Sequence, residues 1–354
     1  MNILVYYPAA STGGSITILE NFYKEVSQYT DKSIHWYFVI SSDILQEKDN
    51  IHIVCLPWVK KSYLHRIYCD SYHIPKLIKK LNINIVYSMQ NMPIRHTQAK
   101  QIVYLHQSLQ YCKKKFSFFK KSERALAFRQ KIILQINKHN LKKSDLIIVQ
   151  TKWIKDETVK WLNFPKEKVK LVSPKVDISN FGNMKYEYVN NCFFYPASND
   201  IYKNHKVILE ACKKLIDDGI TNFEIVFTLE KKQLILDEYK KCKNNIKFVG
   251  YLKKDKVYDY YKQSILLFPS YLETFGLPLE EAKSVGSIIF ASNMPFSHEI
   301  LDSYENSYFF DAFDSIELYE LMKKAITNEI TYKSNNKDFA QKNKMKVIDY
   351  ILGE

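Results

Sequence analysis

Short apolar runs alternate with amphipathic stretches along nearly the whole chain, and few folds accept such a pattern. The first run is NILVYY (2–7). Small residues follow, ending in STGGS, and then ITILENFYKEVSQY, whose Ile16, Leu19, Phe22, Tyr23 and Val26 recur at a helical period. Further strand-like runs are IHWYFVIS (34–41), IHIVCLP (51–57), INIVYSM (83–89), QIVYLHQS (101–108), SDLIIVQT (144–151) and VKLVSP (169–174). Helices are expected over YHIPKLIKKLNI and KWIKDETVKWLN. A second series runs through NCFFYPAS (191–198), FEIVFTL (223–229), IKFVGYL (246–252), ILLFPS (265–270) and SIIFAS (287–292). Its expected helices are KNHKVILEACKKLIDDG, KKQLILDEYKKC, KDKVYDYYKQS and one starting near Pro278. Apolar strands separated by amphipathic helices predict parallel sheets covered on both faces. Two such series in 354 residues predict two domains. The polar stretch 175–190, KVDISNFGNMKYEYVN, has no period and is the expected linker.

Composition narrows the class. Hydrophobic residues make up 46%, as in a soluble globular protein, and no apolar run reaches the roughly 18 residues of a membrane span. The N-terminal MNILVYYPAAS lacks a basic leader and reads as a first strand, so a cytoplasmic location is expected. Cys55, Cys69, Cys112, Cys192, Cys212 and Cys242 include no pair two to four apart; buried thiols in a reducing compartment are expected.

The net charge of +14 is unevenly placed. From Cys112 to Lys143 there are eleven Lys or Arg and one acidic residue, Glu123, so this segment alone holds +10. Phe116, Phe118, Phe119 and Phe128 interleave with the lysines. Basic residues with aromatic anchors suit an anionic membrane face or a lipid-diphosphate acceptor. A solvated helix with an ordinary apolar core face is the plainer reading. A nucleic-acid-binding protein is a rival that the charge also suggests, but no nucleic-acid module is evident and the charge is local.

In open parallel sheets, ligands bind beyond the carboxyl ends of strands. Gly13-Gly14, His106, Ser198 to Lys203, Gly250, and Glu273 to Glu281 all fall at such ends. The last group lies in SYLETFGLPLEEA (270–282), a loop leading into a helix with Pro278 near its start. Gly276 allows close approach of backbone to a ligand, and helix N-terminal amides favour an anion, above all phosphate. Glu281, expected in the first turn, suits ribose hydroxyls, and Glu273 a polar group of a substrate. Acidic residues also suit a first helical turn for the dipole alone. His106 fits a substrate hydroxyl or a structural hydrogen bond. Gly13 and Gly14 fit a turn or a diphosphate-facing loop, and Tyr251 a nucleotide base or a core.

PSYLETFGLPLEEA resembles the Glu-x7-Glu signature of retaining family-4-type glycosyltransferases, glycosyl transferases group 1. GGSITILENFYKEV resembles their first glycine loop, VYLHQS their strand ending in an active-site His, and FFYPASNDIYKNHKVILEA their phosphate-lysine segment. FVGYL resembles their base-binding loop, and NMPFSHEIL to YFFDAFD their closing region. The resemblance implies an α/β fold of GT-B architecture: two Rossmann-like, doubly wound parallel-sheet domains facing a central cleft. The N-terminal, acceptor-side domain would span 1–180 and the nucleotide-sugar domain 188–335, with a C-terminal helix (336–354) a candidate for packing back on the first domain.

The resemblance further implies His106, Glu273 and Lys203 as catalytic residues. Donor contacts would come from Gly14, Ser198, Lys203, Gly250, Tyr251, Thr274, Phe275, Gly276, Leu277 and Glu281. The donor would be a nucleoside-diphosphate sugar and the acceptor a saccharide or a polyprenyl-diphosphate-linked one. No metal or other cofactor is expected, and no nucleic acid. Surface-polysaccharide synthesis is the expected context, at the inner face of the plasma membrane. The sequence departs from the family pattern twice. Ser198 stands where an Arg is frequent, with Asn199, Asn204 and His205 as candidate helpers, and Lys175 replaces a glycine in VSPKVDISNF. A nucleotide-sugar epimerase of the same architecture and a catalytically silent partner subunit are the alternatives.

Overall fold

The structure is a computed structural model and describes residues 1–10, 14–174, 176, 186–234, 239–333 and 345–353. Gly13, Lys175, most of the expected linker, 235–238 of the helix expected over 231–242, and the start of the C-terminal segment lie outside these residues. The chain divides into two units, 1–175 with 341–354, and 176–340.

The first unit runs β1 (Asn2–Tyr6), α1 (Gly14–Gln28), β2 (His35–Ile40), β3 (Ile51–Cys55), α2 (Tyr63–Tyr68), α3 (Ile74–Lys80), β4 (Ile85–Ser88), β5 (Lys100–Leu105), α4 (Arg124–Phe128), α5 (Leu134–Leu141), β6 (Leu146–Val149), α6 (Lys152–Leu162) and β7 (Val169–Leu171). Its strands form one parallel sheet in the order β3-β2-β1-β4-β5-β6-β7. The winding reverses between β1 and β4, which is where such sheets open a crevice.

The second unit runs β8 (Cys192–Tyr195), α7 (His205–Asp217), β9 (Glu224–Phe227), α8 (Tyr239–Cys242), β10 (Ile246–Phe248), α9 (Lys254–Lys262), β11 (Ile265–Phe268), α10 (Leu277–Val285), β12 (Ile289–Ser292), α11 (Pro295–Ile300), β13 (Ser307–Phe310) and α12 (Ser315–Ile326). Its sheet is parallel in the order β10-β9-β8-β11-β12-β13, reversing between β8 and β11. A last helix, α13 (Val347–Leu352), joins the first unit. Ile348 and Ile351 enter its core, and the Ile348 amide donates to Glu25 Oε1 at 2.8 Å.

Right-handed crossovers decide which face each helix covers. The chain moves one way through the first sheet from β1 to β2, and the opposite way from β3 to β4 and from β5 to β6. Helix α1 therefore packs on the face carrying Ile3, Val5, Tyr87, Ile102 and Ile148, and α13, which lies in no crossover, joins it there. The opposite face, with Leu4, Val39 and Val86, receives Ile74 and Ile78 of α3. Farther along that face, Val103, Ile147 and Val149 receive Leu141 of α5.

Two local expectations need correction. The stretch 231–242 is not one helix among its described residues: a single 3-10 turn, Lys231–Gln233, precedes α8. The Gln233 carbonyl, which a continuing helix would use, instead accepts from Asn199 Nδ2. Glu281 does not sit in the first turn of α10. Glu280 does, and Glu281 lies one residue deeper.

Candidate active site

The carboxyl ends of β8 and β11 are neighbours at the winding reversal of the second sheet, and their loops are tied together. Tyr271 N–H donates to the Tyr202 carbonyl at 3.1 Å, and Ser270 Oγ lies 3.2 Å from the same carbonyl. Asn204 adopts a left-handed conformation (φ 60°) and its Nδ2 donates to the carbonyls of Ala312 (2.6 Å) and Pro269 (3.3 Å). Tyr195 Oη donates to the Lys203 carbonyl at 2.7 Å. This scaffold aims the Lys203 ammonium at Glu273, to which it is ion-paired, while Ser270 Oγ donates to the same carboxylate oxygen at 2.8 Å. Both side chains are largely shielded, which strengthens the pair relative to a surface one.

Immediately after Glu273 the chain turns into α10 through Gly276. Its φ of 89° belongs to the left-handed region, and a Cβ there would meet Leu279 Cδ1 at 3.2 Å. Glycine is therefore favoured by conformation, and a side chain there would also have to displace the end of Leu279 by a few tenths of an ångström. Phe275 is buried beneath the turn, while Thr274 and Leu277 stay partly exposed. The first amides of a helix have no partner inside it, and Pro278 has no amide to leave unpaired. A lysine ammonium and a helix N-terminus thus share one edge of the sheet, the arrangement expected of a phosphate site.

Glu281 is half-buried on α10 and accepts from Tyr261 Oη at 3.2 Å. Burial pushes its carboxyl up to about 7, with Lys254 and the tyrosine hydrogen bond acting the other way. A neutral-range carboxyl with one tyrosine partner suits hydroxyl groups of a ligand. Gly250 (φ 66°) and Tyr251 follow β10 on the same edge, and Tyr251 is 88% exposed, which removes the core reading for it. Ser198 is exposed and its Oγ donates to Asp200 Oδ2 at 2.7 Å. The candidate helpers beside it serve the scaffold. Asn199 and Asn204 hold loops together. His205 is buried between the Tyr195 and Phe227 rings, and that burial lowers its pKa to about 3.

In the first unit His106 follows β5. Its amide donates to Asn91 Oδ1 at 2.8 Å, and Asn91 holds a left-handed conformation (φ 61°) in the loop after β4. Its Nε2 lies 3.4 Å from Tyr7 Oη, and the Tyr7 and Tyr104 rings pack around it. Its Nδ1 is buried without a hydrogen-bond partner among the described residues. Burial holds its pKa near 4, so the ring is neutral at pH 7. Gly14 opens α1 and is exposed. Sequence reasoning missed Tyr7, Asn91, Ser270 and Tyr202. Each acts through a contact distant in sequence, and nothing in its local pattern announces it.

Two parallel-sheet units with these loop-borne groups define a GT-B protein of the glycosyltransferase type. The Glycosyltransferase Family 4 model matches residues 19–180, and the Glycosyl transferases group 1 model matches residues 189–345. The chain belongs to the family-4-type glycosyltransferases. It is 33% identical over 164 residues to the capsular polysaccharide biosynthesis glycosyltransferase CapH of Staphylococcus aureus, covering 44% of this chain and 43% of CapH. It is 26% identical over 188 residues to the O-antigen chain mannosyltransferase RfbU of Salmonella typhimurium, covering 49% of this chain and 50% of RfbU. The matched region thus spans about half the length of these curated relatives. Among solved structures, sucrose-phosphate synthase of Thermosynechococcus elongatus shares the fold, with a TM-score of 0.68 over 92% of this chain and 90% of that one at 14% identity.

Proposed function

We propose that the chain transfers a sugar from a nucleoside-diphosphate sugar to a hydroxyl of a saccharide or lipid-linked acceptor, with retention, in surface-polysaccharide assembly. The observation that carries this reading is the Lys203–Glu273 pair held beside the α10 N-terminus at the winding reversal. The diphosphate would lie against the Lys203 ammonium and the amides near Gly276. Glu273, displaced from its lysine, would turn to the sugar, and Glu281 would accept from ribose. As the bond from the anomeric carbon to phosphate breaks, negative charge grows on the leaving oxygen beside donors already in place. The acceptor oxygen bonds to the anomeric carbon, and its proton passes to the leaving diphosphate. No protein nucleophile and no metal are required by this scheme; loss of transfer with EDTA, restored by a divalent ion, would refute its metal independence. Neutral His106 would contribute a hydrogen bond to a sugar hydroxyl. The basic stretch 112–143 would face the anionic inner leaflet that carries a lipid-linked acceptor.

Support comes from the two relatives, one named for capsular polysaccharide biosynthesis and the other as an O-antigen chain mannosyltransferase. A thermal-shift panel of UDP, GDP, ADP, CMP and dTDP tests the reading, because a ligand of the native state raises its stability by mass action. One nucleotide should stand out. A flat response to all five would sink the proposal. Conversion of the donor with no acceptor present would instead mark an epimerase.

A further inference from the structure

The excess positive charge of this protein lies on one sheet face. Residues 58–80 carry Lys60, Lys61, Arg66, Lys76, Lys79 and Lys80 against Asp70 alone. Taken with 112–143, that is seventeen basic residues against two acidic ones, or +15, where the entire chain sums to +14. These two stretches form the β3-to-β4 and β5-to-β6 crossovers. Both move in the same direction through the sheet, so both cover the same face. The register agrees: Leu4 pairs with Val86 and Val103 with Ile147, all on the side that receives α3 and α5.

The two crossovers are built alike. Each has a helix of 18 residues, 63–80 and 124–141, with a π-helical turn inside it, at Cys69–His73 and at Arg129–Ile133. Such a turn inserts a residue and rotates the apolar stripe. The segment after it packs on the sheet, through Ile74 and Ile78 in one and Leu141 in the other. The segment before it does not. Helix α2 buries none of its side chains and leaves Tyr63, Leu64, Ile67 and Tyr68 exposed, Leu64 by 75%. Along 112–143 the matching residues are Phe119, 94% exposed, Phe128 and Ile132.

Helix α2 is nevertheless anchored. Arg66 Nε donates to both oxygens of Asp70 (3.0 and 2.8 Å) and lies over the Tyr6 ring, whose hydroxyl donates to Asp70. Trp58 packs edge-on or tilted against His65, Tyr68 and His73. Its polar side is fixed to the end of β1, which directs the apolar side away from the core. Of the 17 large apolar side chains exposed among the described residues, ten fall between Tyr63 and Tyr72 or between Phe118 and Ile136. Scattered singly they would need no explanation.

We propose that α2 is a second foot on an anionic phospholipid bilayer, with Tyr63, Leu64, Ile67 and Tyr68 entering the lipid interface beside the 112–143 stretch. The proposal rests on the membrane reading given above, but on residues that reading does not use. Charge complementarity selects the partner. A protein interface depletes lysine and carries both signs of charge, whereas this face is nearly all basic, with tyrosines and aliphatics set among lysines. Tyrosine, amphipathic and ring-bodied, is the residue of the membrane–water boundary.

Flotation of the full chain with phosphatidylcholine vesicles, with and without phosphatidylglycerol, tests it. The variant Tyr63→Ser/Leu64→Ser/Ile67→Ser/Tyr68→Ser removes exposed side chains and, within the fold, the Tyr68 contacts to Trp58 and Tyr72, so its thermal unfolding should stay close to the parent's and its nucleotide response should match. Its partition onto anionic vesicles should fall at least about tenfold, and the loss should persist at high salt, where attraction by lysines is screened. If it floats like the parent while Lys113→Gln/Lys114→Gln/Lys115→Gln/Lys120→Gln/Lys121→Gln does not, the second foot is wrong and the first stands. If the parent ignores anionic vesicles at low salt, both fail. A parent dimer split by the four serines would assign the face to a second copy and overturn the proposal.

Discussion

The two units share one architecture and divide its uses differently. Residues 1–175 with 341–354 hold 32 basic and 14 acidic residues, a net +18; residues 176–340 hold 20 and 24, a net −4. In the second unit α7 is well seated, burying seven of its thirteen side chains, and the candidate site lies in the loops at the strand ends. In the first unit α2 buries none of its side chains, and the two basic crossovers carry lysine or arginine on both sides of their π-helical turns. On the proposed reading, one parallel sheet would offer its edge to a small anion and the other a helical face to a large one. If the second unit holds the proposed anionic donor, its net charge of −4 leaves the holding to local groups, since the unit's overall charge repels it.

That contrast breaks most visibly at Lys203. Replacing it by Ala should lower transfer by about 100- to 1,000-fold, the usual cost of losing a donor aimed at developing charge, and abolish the nucleotide thermal shift. It also leaves Glu273 shielded without its cation, so some stability is lost. The pair Lys203→Met/Glu273→Gln removes both charges and should recover stability without recovering nucleotide binding. Recovery of both would mean that the ion pair is scaffold and the diphosphate lies elsewhere.

His106 sharpens the comparison from the other unit. His106→Ala should cut turnover by about 10- to 100-fold, the scale of one buried hydrogen bond lost, while the nucleotide shift is unchanged. Because the ring is neutral at pH 7, turnover should not follow a histidine titration between pH 6 and 7. Loss of the nucleotide shift in this variant would collapse the division between the units.

Much of this was legible because continuous apolar runs of four to six residues can hardly be anything but buried parallel strands. Run ends overshoot, as at 51–57 against Ile51–Cys55, because side chains remain buried after the last ladder bond. Strand β13 passed unnoticed among its aromatics, and the helix from Tyr63 did so because its leading residues face outward and obey no core period. Gly276 and Pro278 announced the helix start, while the site residues around it were expected from the resemblance to family-4-type glycosyltransferases. What holds Lys203 in place was not: Tyr195 donates to its carbonyl, Glu273 pairs with its ammonium across 70 residues, and Ala312 anchors the neighbouring Asn204, contacts made only through the fold.

The smallest expected effect concerns pH. Glu281 has a folded pKa raised by burial to about 7, above its ordinary value of 4.5. Between those values the native state binds more protons than the unfolded one, so this group contributes stability in acid that is lost as pH rises from about 4.5 towards 7. Partial exposure keeps the effect on the order of 2 kcal/mol or less. The two buried histidines act oppositely. His106 and His205 have lowered pKa values, near 4 and 3, so each favours the native state as pH rises through that same range. Glu281→Gln should therefore steepen the gain in stability between pH 4.5 and 7, read by urea unfolding at several pH values. A nucleotide whose hydroxyls donate to the carboxylate prefers it ionised, so affinity in the parent should rise as pH passes 7, and the rise should vanish in the Gln variant. An unchanged rise in that variant would place the titrating group outside the second unit's nucleotide edge, and Glu281 would be a structural acid only.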